Sequence, residues 1–260
     1  MLVVSGSAGP ADVEARRYLR RFRARLLILC ASLASIVLLA LWCATIGASG
    51  LGLGDVAAIL VHLQGAVLPD HLKPSDVTVV SHLRLPRIAM AVLGGAALGL
   101  AGTVMQGVTR NPLVSPYTLG ISAAAAFGAS LAIIFGLGTL PNGHWLIVIC
   151  AFACALICAF VVFGVGLRVG TSPETVILTG IALMYLFMAG TATIQFLASE
   201  EQLASVVHWT FGSLTRAGWP AVVAMAVISI LVWPLLFAHA WPLNASAGGG
   251  DDYARSLGVA

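Results

Sequence analysis

Charge is scarce in this chain: 9% of its 260 residues are Asp, Glu, Lys or Arg and 60% are hydrophobic, against about 25% and 45–50% in an ordinary soluble domain. A water-soluble fold cannot hide that much apolar surface, so a soluble globular architecture is excluded. Short alternating segments, the mark of a strand barrel, are also lacking. Unbroken apolar runs of about 20 residues recur instead, each long enough to cross roughly 30 Å of hydrocarbon as a helix. The expected fold is all-α, a polytopic transmembrane helix bundle.

Acidic residues are missing from the middles of these runs: Glu174 sits at an inner end, and Glu200 and Glu201 lie just outside. Ion-coupled secondary transporters need ionisable groups within the membrane, since a charge there is costly and is kept for function. That alternative is therefore disfavoured, and the energy for any transport should come from outside the spans. No GxxxxGK[ST] loop occurs, which argues against a nucleotide site. His144, His208 and His239 are the acid–base candidates for a membrane enzyme, but each lies near a span end without a carboxylate close by in sequence, as interface histidines do.

Cysteine is sparse as well, with 5 in all. Cys150, Cys154 and Cys158 fall on one helical stripe and could in principle hold a soft metal. No His or second Cys pair completes the shell, so close helix packing is the better reading. No catalytic residue, metal site or cofactor of the chain's own is expected.

What is present begins with a basic patch, Arg16, Arg17, Arg20, Arg21, Arg23 and Arg25. A basic stretch ending at an apolar run marks the cytoplasmic flank of a first span, and nucleic acid is not the expected partner. The apolar pattern predicts about six spans: 26–46, 88–108, 118–137, 145–167, 176–197 and 220–241. Residues 1–25 form a basic cytoplasmic segment, 26–243 the membrane domain, and 244–260 a cytoplasmic tail. This topology places nine of the 13 cations inside, in keeping with the positive-inside rule. Arg84 and Arg87 are misfits at an outer mouth, where they would snorkel to lipid phosphates or meet an acidic partner.

The second span is dense in small residues, including the Gly95–Gly99 GxxxG pair and Gly102, which suits close helix contact and a central position in the bundle. Between the fifth and sixth spans, apolar residues at helical spacing from Leu203 to Leu214, with Trp209, predict a short helix at the outer face. In the tail, residues 244–250 read as a flexible lead. Asp251 or Asp252 can cap a helix that Gly258 ends, little more than a turn long, with Ala254 and Leu257 on its apolar side. A helix that short must dock to be stable.

Arg84-Leu85-Pro86-Arg87, Gly94 to Leu98, Gln106-Gly107, Arg110-Asn111-Pro112-Leu113, Pro116, Leu119-Gly120 and Gly128-Ala129 stand in an order that resembles FecCD-type permeases, importers of iron–siderophores, haem and cobalamin. Thr179 to Leu183, Trp209 with Gly212-Ser213-Leu214, and Asp251-Asp252 with Ala254 to Val259 continue the resemblance. It implies a multi-pass permease of a bacterial cell membrane, surrounded by lipid. Its partners would be a second permease subunit, two cytoplasmic ATPases that hold the ATP and Mg, and an extracytoplasmic substrate-binding protein.

By the same resemblance, Arg84 and Arg87 dock the binding protein. Asp251, Asp252, Ala254, Arg255, Leu257 and Gly258 couple to the ATPase. Gly95, Gly99, Gly102, Gln106, Asn111 and Pro112 serve helix packing or the pathway, and Trp209 and Gly212 lie by the gate. Family members carry about ten spans, so the expectation is a fragment, a truncated product or half of a split permease.

Overall fold

The computed structural model describes residues 10–47, 49–170 and 172–258, with the side chains of 10–15 and 250–253 left aside. It contains α1 (Pro10–Thr45), α2 (Leu53–His62), α3 (Pro74–Thr78), a π-helical turn (Val79–Arg84), α4 (Leu85–Thr109), α5 (Ile121–Ile134), a 3-10 turn (Leu137–Thr139), α6 (Gly143–Val169), α7 (Pro173–Gln195), α8 (Glu200–Phe211), α9 (Trp219–Ala238) and α10 (Ala240–Ser256). No strand occurs among the described residues. The all-α expectation holds.

Among the described residues, five stretches are long and apolar enough to cross a membrane: Arg16–Thr45, Pro74–Thr109, Gly143–Val169, Pro173–Gln195 and Trp219–Ala238. The expected third span, 118–137, is a correction. Its helix α5 has 14 residues, about 21 Å at 1.5 Å per residue, short of the hydrocarbon thickness. Gly120 and Gly136 adopt left-handed φ of 76° and 74° and cut it at both ends. A short helix with irregular flanks is tolerated at membrane depth where protein surrounds it, and α5 packs against α6, α7 and α8.

The chain forms two compact units, Met1–Val92 and Leu93–Ala260. In the first, the end of α1, α2 and the π-helical turn gather Ala44, Leu51, Val56, Ile59, Leu72 and Val80 into a small core. Asp55 in the first turn of α2 accepts the Gly52 N–H at 2.8 Å and meets His71 Nε2 at 3.0 Å. Asp76 accepts the Lys73 N–H at 2.9 Å and caps α3 in the same way.

The second unit is organised around α5. A Cβ on Gly128 would stand 2.8 Å from Cys154 Sγ and also meet the Cys150 carbonyl, so the cysteine stripe of α6 lies directly on the glycine, in agreement with the packing reading. Phe127 and Phe187 hold α5 to α7 with ring centroids 5.6 Å apart, and Gly190 leaves room for the Phe127 ring. Ser199 and Gln202 form a reciprocal capping box at the start of α8. The Gln202 amide also donates to the Ile134 carbonyl at 3.0 Å, satisfying a carbonyl at the end of α5.

The tail departs from expectation. Residues 244–250 are not a flexible lead but the middle of α10, which runs 17 residues. Each glycine costs about 1 kcal/mol of helix propensity relative to Ala. Ala245 and Ala254 are buried on α10, as expected of a helix held by packing more than by propensity. Pro242 falls in the first turn, where a missing N–H costs little.

Candidate functional site

Three places in the structure collect the residues that the sequence singled out. The first is the end of α1. Arg84, expected to face outward, is 8% exposed. Its Nη1 donates to the Ala44 carbonyl at 2.6 Å and its Nη2 to Ser49 Oγ. Gly47, at φ 154°, lies against the same guanidinium, where a Cβ would collide with it. Arg87 is half-buried in the first turn of α4.

The second place is the loop after α4. Gln106 Nε2 donates to the Pro112 carbonyl at 3.0 Å, the Asn111 N–H donates to the Gln106 carbonyl at 3.2 Å, and Asn111 Oδ1 accepts the Leu113 N–H at 2.9 Å. These bonds close Gln106–Leu113 into one compact turn, with Arg110 in the left-handed region at φ 50°. A cleft of about 420 Å³ separates this turn from the start of α7, with Arg110 and Asn111 on one wall and Glu174 on the other. A Cβ on Gly107 would meet Ala247 Cβ at 3.9 Å, so the middle of α10 lies beside the last turn of α4.

At the end of α10 the Gly258 N–H bonds the Arg255 carbonyl at 3.0 Å, and Gly258 takes φ 79°, a left-handed C-cap. Ala254 is buried, while Arg255 and Leu257 are exposed. Asp251 and Asp252 lie within the helix, and their side chains fall outside the description, as does Val259.

The third place is a cleft of about 550 Å³ between α5, α7 and α8, with polar wall residues Tyr117, Ser122, Thr191, Gln195, Trp209 and Thr210 among Ala and Met. It is neutral throughout. Trp209 also lines a more polar neighbouring cleft of about 420 Å³ with Glu201, His208 and Arg216. Gly212 ends α8 at φ 72°. The sequence reading named only Trp209 of these walls. The signal available was the set of hydroxyl and amide residues placed within otherwise apolar helices.

The small-residue face of α4 is open. A Cβ on Gly94, Gly95, Gly99 or Gly102 would find open space, so within the Leu93–Ala260 unit that face is free to take a close neighbour. Small residues permit close approach but do not supply the neighbour. His144 meets Trp145 with centroids 4.9 Å apart, and His239 Nδ1 lies 2.8 Å from the Leu235 carbonyl.

The motifs of the resemblance also meet in space. Gly180 of α7 lies against Leu119, where a Cβ would come 2.7 Å from its Cα, and a Cβ on Gly120 would come 2.9 Å from the Gly180 carbonyl. The buried Cys158 Sγ donates to the Leu119 carbonyl at 3.6 Å. The FecCD transport family matches residues 28–260. The chain belongs to the FecCD transport family.

As a FecCD chain it is a multi-pass protein of the inner membrane. It is 43% identical over 189 residues to a Methanocaldococcus jannaschii protein named as an ABC transporter permease, covering 70% of this chain and 54% of the relative. It is 35% identical over 186 residues to the cobalamin import system permease protein of Halobacterium salinarum, covering 70% of this chain and 48% of that one. The chain thus spans about half the length of these relatives. A solved chain described as a metal-chelate type ABC transporter in an inward-facing conformation superposes with a TM-score of 0.73 at 30% identity, covering 89% of this chain and 68% of that chain.

Proposed function

We propose that this chain belongs to the transmembrane permease of an ATP-binding-cassette importer that brings a metal chelate, an iron–siderophore or a cobalamin-like cargo, into the cytoplasm. The observation that carries the reading is the pairing of spans that hold no Asp or Glu in their middles with an uncharged, hydroxyl-lined cleft. Such a wall offers weak, replaceable contacts to a large ligand and no group to bind a driving ion. Selectivity then rests with an extracytoplasmic binding protein, and ATP and Mg are held by two cytoplasmic ATPase subunits. A second permease subunit completes the pathway.

Within this reading the exposed end of α10, with Arg255 and Leu257, seats in the ATPase. Movement there reaches the Gln106–Leu113 turn where Ala247 lies beside Gly107. Arg87 contributes to binding-protein docking, and Arg84 serves the docking surface from beneath by fixing the end of α1. The iron–siderophore assignment is the finer part of the proposal, since a relative is named for cobalamin.

Co-purification tests it. The wild-type protein produced with its ATPase should retain that subunit through detergent extraction, and Leu257→Asp should lose it. Equal retention by both would overturn the coupling role. An ion-coupled secondary transporter remains the competing reading, and no observation favours it.

A further inference from the structure

The basic segment at the start of α1 does more than set topology. Insertion orientation depends on the number of cations near a span and makes no demand on how they are arranged around a helix. Here they are sorted. At about 100° per residue, Arg16, Arg17, Arg20, Arg21, Arg23 and Arg25 occupy an arc of about 200°, and Tyr18, Leu19, Phe22 and Leu26 fill a separate arc of about 100°.

Helix α1 runs without a break from Pro10 to Thr45, so this sorting is realised in three dimensions. If Leu26 to Thr45 crosses the hydrocarbon, Arg16–Arg25 extends about 15 Å further, at and just beyond the headgroup layer. Residues 16–39 are all exposed, with Tyr18 at 70%, Leu19 at 50% and Phe22 at 54%. Among the described residues of the Met1–Val92 unit, nothing covers the apolar arc.

Two further observations point to the occupant. No acidic residue occurs between Glu14 and Asp55, so Arg20, Arg21, Arg23 and Arg25 have no carboxylate within a helical turn of them on α1. A shallow groove of about 510 Å³ runs along it, lined by Arg16, Arg20 and Arg23 together with Leu19, Ala24 and Leu27. Guanidinium groups above an aliphatic floor match a phosphodiester headgroup above the first methylenes of its acyl chain.

We propose that this groove and the adjoining apolar arc form a binding surface for anionic phospholipid of the cytoplasmic leaflet. The arginines bind the phosphates, and Tyr18, Leu19 and Phe22 bury beside the acyl chains. The inference depends on the segment lying at the cytoplasmic face and is independent of the importer reading.

The test uses the full chain purified in detergent with a mixture of phosphatidylcholine and phosphatidylglycerol, the retained lipid being counted by native mass spectrometry. Wild type should retain phosphatidylglycerol over phosphatidylcholine. The rearranged variant Leu19→Arg/Arg20→Leu/Phe22→Arg/Arg23→Phe keeps the charge count, and so the insertion signal, while mixing the two arcs. Its preference should fall roughly ten-fold or more, since two of the three arginines that line the groove, Arg20 and Arg23, are replaced there.

If the rearranged variant fails to insert, Tyr18→Ser/Phe22→Ser keeps every arginine and removes only the apolar arc, and should also weaken retention. An unchanged preference in the variant that inserts overturns the proposal. So does displacement of the lipid by inorganic phosphate at millimolar concentration, which would mark a free-anion site. Unchanged lipid retention with loss of an ATPase subunit would assign the surface to protein and also overturn it.

Discussion

Arg84 and Ala44 are 40 residues apart, and the Arg84 guanidinium donates to the Ala44 carbonyl at 2.6 Å. That carbonyl belongs to the last turn of α1, which has no helical partner for it and carries the negative end of the helix dipole. A buried cation is therefore matched by a helix terminus instead of a carboxylate. That pairing accounts for the burial of Arg84.

Replacing Arg84 with Ala should lower stability by about 3 kcal/mol, since hydrogen bonds to charged groups contribute roughly 1.5–3 kcal/mol each. Gly47→Ala should produce a loss in the same region, because a Cβ there collides with the guanidinium. Thermal unfolding in detergent reads both. An Arg84→Ala protein as stable as wild type would show the bond to be dispensable.

Gly128→Val should separate α5 from α6. The new side chain would meet both Cys154 Sγ and the Cys150 backbone, so Cys154→Ala cannot relieve it, and overpacking of this kind costs about 1–3 kcal/mol. Maleimide labelling of the buried Cys158 should accelerate in the variant. Labelling at the wild-type rate would contradict the packing described.

Gln202→Leu should loosen α8. The Ile134 carbonyl would lose its 3.0 Å donor and the capping box its second half, a loss of about 1–3 kcal/mol. Faster amide exchange confined to residues 200–211 is the expected outcome, and protection equal to wild type would show that the bond does not hold the helix.

Acid should loosen α2. The Gly52 N–H, and after it the contact with His71, hold the Asp55 carboxyl below its ordinary value of 3.8. A carboxyl depressed in the folded state stabilises above its unfolded pKa, and that contribution is lost as pH falls through the folded value. The helix should therefore hold from neutral pH down to about 3.8 and weaken below it. Asp55→Asn should remove this pH dependence, as read by thermal unfolding at pH 6 and pH 3. A variant as acid-sensitive as wild type would place the effect elsewhere.

The spans were legible because a long apolar run without charge has one physical solution in a bilayer. α8 was legible from its apolar spacing. Misjudged elements failed for identifiable reasons. Residues 118–137 look long enough to cross, but the signal lay in Gly120 and Gly136, whose left-handed backbone ends α5 early. In α10, three successive glycines suggested flexibility, while the structure keeps them helical with Ala245 and Ala254 buried, and tertiary burial is not revealed by sequence spacing.

The site was legible in part. Leu119-Gly120 and Thr179-Gly180 stood out as separate motifs, yet only the fold shows that they are one contact. The burial of Arg84 depends on an acceptor 40 residues away, beyond any local pattern. The cleft residues were passed over because a single Thr or Gln in an apolar helix resembles ordinary intrahelical bonding. Thr191 does bond the Phe187 carbonyl at 2.8 Å.

The central claim is that helices without mid-span carboxylates draw their driving force from an ATPase seated at the end of α10. Uptake of a labelled ferric siderophore or cobalamin into proteoliposomes containing the protein, its ATPase and its binding protein tests it most directly. The account predicts uptake that requires ATP, survives dissipation of ion gradients by ionophores, and is lost in Leu257→Asp. Uptake without ATP that collapses on adding an ionophore would contradict it.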